Sequence, residues 1–212
     1  MRFSDEILKK YMILKEEEVN YMCLNLKKII GKTPEELLHL TEQEDSIPVD
    51  ISAMLFKLNI SEIKMDFAEI EKALELQVNE NGAVSGMVLL SGDNVGIFYN
   101  EKDGLNRQRF TIAHELAHCC LNGGRLVENH IEFRHEISTD DEEEIAANTF
   151  AGKLLIPEWS LKKVYEQLTI PVVDSLAKIF QVSKTVMKER LKMLHMDYFD
   201  TELNKMVLFG EE

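Results

Sequence analysis

Between Phe110 and Leu121 the chain is apolar at Phe110, Ile112, Ala113, Leu116, Ala117, Cys120 and Leu121, yet it carries His114, Glu115 and His118 in the spacing H-E-x-x-H. No other stretch limits the fold as much. The apolar positions demand burial, and buried polar groups are costly unless something satisfies them. Residues four apart on a helix stand one turn apart on the same face. His114 and His118 can therefore aim both imidazoles at one metal ion. Glu115 is rotated by about 100°, so it stands beside such an ion, where a general base takes a proton from water. The plainer reading, two histidines on a solvated amphipathic face, does not suit the apolar residues around them. Zn2+ is the ion that neutral imidazoles predict, with Mn2+ and Fe2+ as alternatives for similar donors.

A catalytic zinc needs a third protein ligand and an open position. The candidates downstream are His130, His135 and the carboxylates Asp140 to Glu144. His130 and His135 fall in residues 125–138, read as a loop or irregular strand, with no helical register to fix them. Thr139-Asp140-Asp141-Glu142 has the form of a capping box, opening a helix to about Leu155 ahead of Pro157. Asp140 to Glu143 are accounted for by the preference of acids for a helix start. Glu144 is set apart by Ala147 and Asn148 one turn on: a small residue that leaves room, and a carboxamide able to hydrogen-bond.

The segments Arg109-Phe110-Thr111-Ile112-Ala113-His114-Glu115-Leu116-Ala117-His118, Glu144-Ile145-Ala146-Ala147-Asn148-Thr149-Phe150-Ala151 and Leu154-Leu155-Ile156-Pro157 resemble the ImmA/IrrE family of metallopeptidases. That family's pattern is R-F-T-x-A-H-E-x-x-H followed by E-x-x-A-N-x-F-A-x-x-L-L-x-P. The likeness extends more weakly from about Ile47 to His195. It implies a zincin-like core with a gluzincin-type site. One Zn2+ per chain would be held by His114, His118 and Glu144, with Glu115 as base and proton shuttle. Asn148 would orient His114 through its other ring nitrogen. The implied reaction is peptide-bond hydrolysis, and the implied substrate is a helix-turn-helix repressor encoded nearby, whose cleavage derepresses a mobile element or stress genes. Such sites also use a Tyr, His or Arg to stabilise the oxyanion; Arg107, His130 and His135 are the candidates. Arg109 is read as pairing with a carboxylate, and Cys119 and Cys120 as small core residues.

The remaining chain reads as α+β: helices, a small antiparallel sheet, then helices. Residues 4 to about 30 have helical periodicity, Gly31 stops them, and Thr33-Pro34-Glu35-Glu36 starts a short helix. Thr41 to Ile47 reads as a linker and Pro48 to Leu58 as a further helix. Ile60 to Met65 is a strand candidate. Val84 to Leu90 and Val95 to Tyr99 form a hairpin about Ser91-Gly92-Asp93-Asn94. From about Leu105 to Leu121 the chain is helical, and again from Pro157 to about His195. The expected division is an N-terminal helical extension (1–45), a metallopeptidase core (46–157) and a C-terminal helical segment (158–212), helix-turn-helix-like at 176–194.

Leu176 to Leu194 holds Lys178, Lys184, Lys188, Arg190 and Lys192 against Glu189, within a chain of 212 residues and net charge −14. DNA contact through residues 176–194 is one reading. A helical hairpin packed on the core, with Ser183 as a cap and solvated lysines, is the preferred one, because the rest of the chain repels phosphate. The alternatives to a repressor-cleaving peptidase are thus a non-proteolytic, antitoxin-like regulatory binding protein and a DNA-binding regulator. Three cysteines make no disulfide framework, and the N-terminus lacks a signal-peptide pattern. No apolar run approaches bilayer length. A cytoplasmic protein that binds no membrane is expected.

Overall fold

A computed structural model of the chain describes residues 26–67, 85–91, 94–122 and 142–209. Most of the expected N-terminal helix, the loop at 125–138 and the start of the expected capping box at Thr139 to Asp141 lie outside the described residues.

After a single turn, α1 (Leu26–Ile29), Gly31 adopts φ +75°, and its N–H donates to the Cys120 carbonyl at 2.8 Å. Helix α2 (Pro34–Leu40) opens with a complete capping box. Thr33 Oγ1 accepts from Glu36 N–H at 3.2 Å, and the Glu36 carboxylate accepts from Thr33 N–H at 2.9 Å. The following turn is no free linker, since Thr41 and Gln43 are buried. Thr41 Oγ1 donates to the Leu37 carbonyl, and Gln43 Oε1 accepts from Asp50 N–H. Helix α3 (Ile51–Lys57) starts at Ile51, later than Pro48, because Asp50 caps it by accepting from Ala53 N–H at 2.9 Å.

Strands β1 (Ser61–Met65), β2 (Gly86–Ser91) and β3 (Asn94–Asn100) form one sheet in the order β1-β3-β2. The β2–β3 hairpin is antiparallel, from Gly86↔Tyr99 to Ser91↔Asn94. The expectation of an antiparallel sheet is corrected at β1, which runs parallel to β3 from Ser61↔Gly96 to Met65↔Asn100. The sheet is mixed. A hairpin advertises itself through its turn residues, whereas a parallel partner is reached by a long crossover that leaves no local signal.

Behind the sheet lies α4 (Leu105–Asn122), packed against α5 (Glu142–Leu155). Helix α6 (Glu158–Tyr165) follows Pro157. Helices α7 (Val173–Phe180) and α8 (Lys184–Met193) are joined through Gln181 in the left-handed region, with Ser183 Oγ accepting from Val186 N–H. The chain then makes a small antiparallel pair that the sequence did not announce, β4 (Tyr198–Asp200) and β5 (Lys205–Val207). Asp200 shapes its turn by accepting from the N–H groups of Glu202 and Leu203. Ile29, Leu37, Ile97, Leu116, Leu154, Leu176, Leu191 and Tyr198 belong to one buried cluster. Among the described residues no helix is long and apolar enough to cross a membrane.

Candidate metal centre

Three kinds of anchor fix α4. Gln108 Nε2 donates to the carbonyls of Asn100, Glu101 and Asp103, fastening the helix start to the end of β3. Asn106 Nδ2 donates to the Val182 carbonyl, tying it to the α7–α8 turn. Arg109 is partly buried, and its expected carboxylate partner is replaced by backbone: Nη2 donates to the Val49 carbonyl at 2.8 Å and Nε to the Gln181 carbonyl at 3.3 Å. Burial lowers its pKa, and nearby Asp50 opposes that shift. Between these anchors and the apolar face, α4 cannot easily rotate or slide.

That rigidity matters because the polar residues of α4 lie inside. His114 is 6% exposed, Glu115 1% and His118 0%. Helix α5 brings the third group across the helix pair. His114 Nε2 stands 3.3 Å from His118 Nε2 and 3.3 Å from Glu144 Oε2, and His118 Nε2 stands 3.6 Å from Glu144 Oε1. A donor atom from each of the three residues lies within 4.8 Å of the others. Zinc bonds of about 2.0–2.1 Å in a tetrahedron set donors roughly 3.3–3.4 Å apart, so the spacing and the His2Glu donor chemistry both suit such an ion. Ala147 and Ala151, both fully buried on α5, offer little bulk to hold the helices apart. On the same helix, Asn148 Oδ1 is buried with no hydrogen-bond partner among the described residues.

The other candidates are placed differently. Arg107 lies toward the start of α4, where Nη2 and Nε donate to Ser85 Oγ at 2.8 and 3.0 Å and Nε is 3.4 Å from Asp103 Oδ2. His130 and His135 lie outside the described residues. Cys119 and Cys120 are fully buried thiols, and burial pushes Cys120 up to about 12. As a small inert core residue, a thiol of that kind is unreactive.

Two neighbours of the site escaped sequence reasoning. Gly86, at the head of β2, lies against Thr111 and Glu115 so closely that a β-carbon there would meet Thr111 Cγ2 at 2.3 Å, the Phe98 carbonyl oxygen at 3.0 Å and Glu115 Oε1 at 3.1 Å. Thr111 itself is buried. Nothing local in the sequence marks this approach, since Gly86 and Glu115 are brought together only by the sheet packing on the helix.

The basic residues of the C-terminal segment are largely engaged. Lys184 Nζ is 2.5 Å from Asp174 Oδ1 and 3.6 Å from Glu202 Oε1. Lys188 Nζ is 2.9 Å from Asp200 Oδ2 and 2.8 Å from Glu202 Oε2. Arg190 is 4% exposed and donates through Nε to the Ile156 carbonyl, at the end of the Leu154-Leu155-Ile156-Pro157 turn.

The family model Peptidase_M78, described as an IrrE N-terminal-like domain, matches residues 61–192, more than half of the chain. No curated protein matches it.

Proposed function

Because the chain belongs to the ImmA/IrrE family of metallopeptidases, we propose that it is a zinc-dependent endopeptidase acting on a helix-turn-helix repressor. The observation that carries the reading is the convergence of His114 Nε2, His118 Nε2 and the Glu144 carboxylate at 3.3 to 3.6 Å, beside Glu115 on the same helix. Those three residues would hold the metal. When bound, zinc supplies a Lewis acid that polarises the scissile carbonyl and makes water acidic enough to attack near neutral pH.

Glu115 does the proton work. Its carboxylate takes the proton of the attacking water and passes it to the amide nitrogen that leaves. Burial of Glu115 serves this role by excluding bulk water from the transfer. Asn148 would orient His114: a histidine that binds metal through Nε2 carries its proton on Nδ1, and the buried Asn148 Oδ1, without a hydrogen-bond partner among the described residues, is the acceptor that would turn to it. Arg107, His130 and His135 remain the candidates for oxyanion stabilisation, and Arg107 would have to leave Ser85 to serve.

The C-terminal segment is proposed to be a packing unit, since Lys184 and Lys188 face acids of their own chain. The proposed division into an N-terminal extension, a core and this segment follows the same boundaries, near 45 and 157. A cytoplasmic site of action fits a repressor substrate.

The test is cleavage by zinc-loaded protein of a helix-turn-helix repressor found encoded in the neighbouring reading frames. Glu115→Gln is expected to lower the rate by about 10²–10⁴-fold while leaving the repressor bound. Undiminished cleavage by Glu115→Gln overturns the mechanism. A stable complex that is never cleaved, and is indifferent to Glu115→Gln, would favour the regulatory binding protein.

A further inference from the structure

We propose that Gly86 is a positioning residue for Glu115, and that the missing side chain at the head of β2 sets where the Glu115 carboxylate stands relative to His114, His118 and Glu144. The proposal deepens the peptidase reading and rests on it for its consequence in catalysis, but its structural content can be tested without turnover.

The constraint at Gly86 is one of space, with no unusual backbone conformation. A β-carbon would be wedged between backbone on one side, the Phe98 carbonyl oxygen at 3.0 Å, and the α4 side chains on the other, Thr111 Cγ2 at 2.3 Å and Glu115 Oε1 at 3.1 Å. The strand cannot retreat to make room. Its neighbour Ser85 is held twice, by the Arg107 guanidinium on its hydroxyl and by Asn100 N–H on its carbonyl at 2.9 Å. Gly86 is itself paired in register with Tyr99. The helix cannot retreat either, because Gln108 clamps it to the end of β3. The load of an added methyl therefore falls on the two side chains, and the Glu115 carboxylate gives by a few tenths of an ångström. While it holds Ser85, Arg107 is part of the clamp that keeps β2 against α4, and leaving Ser85 to reach an oxyanion would release that hold.

Gly86→Ala alone disturbs Thr111 as well as Glu115. Adding Thr111→Ser removes the methyl that the new β-carbon would strike, leaving Glu115 and the Phe98 carbonyl as the tight contacts. The experiment compares the wild type, Gly86→Ala and Gly86→Ala/Thr111→Ser, each zinc-loaded. It reads the crystallographic position of Glu115, zinc affinity, the melting temperature and the kinetics of repressor cleavage. The double variant is expected to melt near the wild type and to bind zinc within about twofold of it. Its Glu115 carboxylate is displaced, kcat falls roughly 10-fold and KM is unchanged; a misplacement of 1 Å can cost about 10²-fold. An unmoved Glu115 carboxylate in the double variant, or wild-type kcat with Glu115 displaced, overturns the proposal. If the wild type cleaves nothing, the peptidase reading fails separately, and the position of Glu115 in the double variant still decides whether Gly86 sets it.

Discussion

His114, Glu115 and His118 are at most 6% exposed, and three such groups on one helix would destabilise a core that gave them nothing to bind. Metal binding to the folded state then adds stability by mass action, about 2.7 kcal/mol when free zinc exceeds its dissociation constant 100-fold. Stripping zinc with a chelator should lower the melting temperature by roughly 5–10 °C for a chain of this size, and added zinc should restore it. His118→Ala should lose that response. A melting temperature indifferent to chelation would contradict the account of these residues. The pair and its glutamate were legible because helical spacing is written locally. Glu144 was legible only with Ala147 and Asn148 behind it. Gly86 was not, since what makes it special is the proximity of Glu115, 29 positions away in the sequence.

Among the elements, the α4–α5 pair decides whether the three ligands meet. Ala147 is fully buried one turn from Glu144. Ala147→Leu should force the helices apart, cost about 1–3 kcal/mol by overpacking and weaken zinc binding along with thermal stability. Unchanged zinc affinity in a destabilised variant would show that the ligand set does not depend on this packing. The elements with local signatures are legible in the sequence: the start of α2 at Thr33-Pro34, the β2–β3 hairpin, the Ser183 cap of α8; that Thr33 and Glu36 form a full capping box is seen only in the structure. The parallel pairing of β1 with β3 was misread because it is a contact across the chain. The β4–β5 pair was missed because strands of three residues carry almost no pattern, although Asp200 and Asn204 flank a turn. The charge of Arg109 suggests a carboxylate partner, but its guanidinium satisfies backbone carbonyls that no sequence pattern reveals.

For the molecule as a whole, the net charge of −14 is distributed so that the basic C-terminal segment neutralises part of it internally. Hydrogen bonds from Lys184 hold the Asp174 carboxyl below its ordinary range, and hydrogen bonds from Lys188 do the same for Asp200 and Glu202. A carboxyl that titrates lower when folded than when unfolded contributes stability above the unfolded carboxylate range, near pH 4. That contribution is lost as pH falls through the lowered values. Melting temperatures of the metal-free protein should therefore drop between pH 5 and pH 3, and less steeply for Lys188→Met. An identical pH dependence would remove these pairs from the stability of the C-terminal unit. The same pairing predicts no salt-sensitive affinity for duplex DNA, and tight binding lost in Lys188→Glu would revive the regulator reading.

Whether His114, His118 and Glu144 form a metal site served by Glu115 is decided by measuring zinc bound per chain after gel filtration. About one zinc is expected in the wild type and in Glu115→Gln, as a tetrahedral three-ligand site requires, and near zero in Glu144→Ala. Full zinc retention by Glu144→Ala, or loss of zinc in Glu115→Gln, would contradict it.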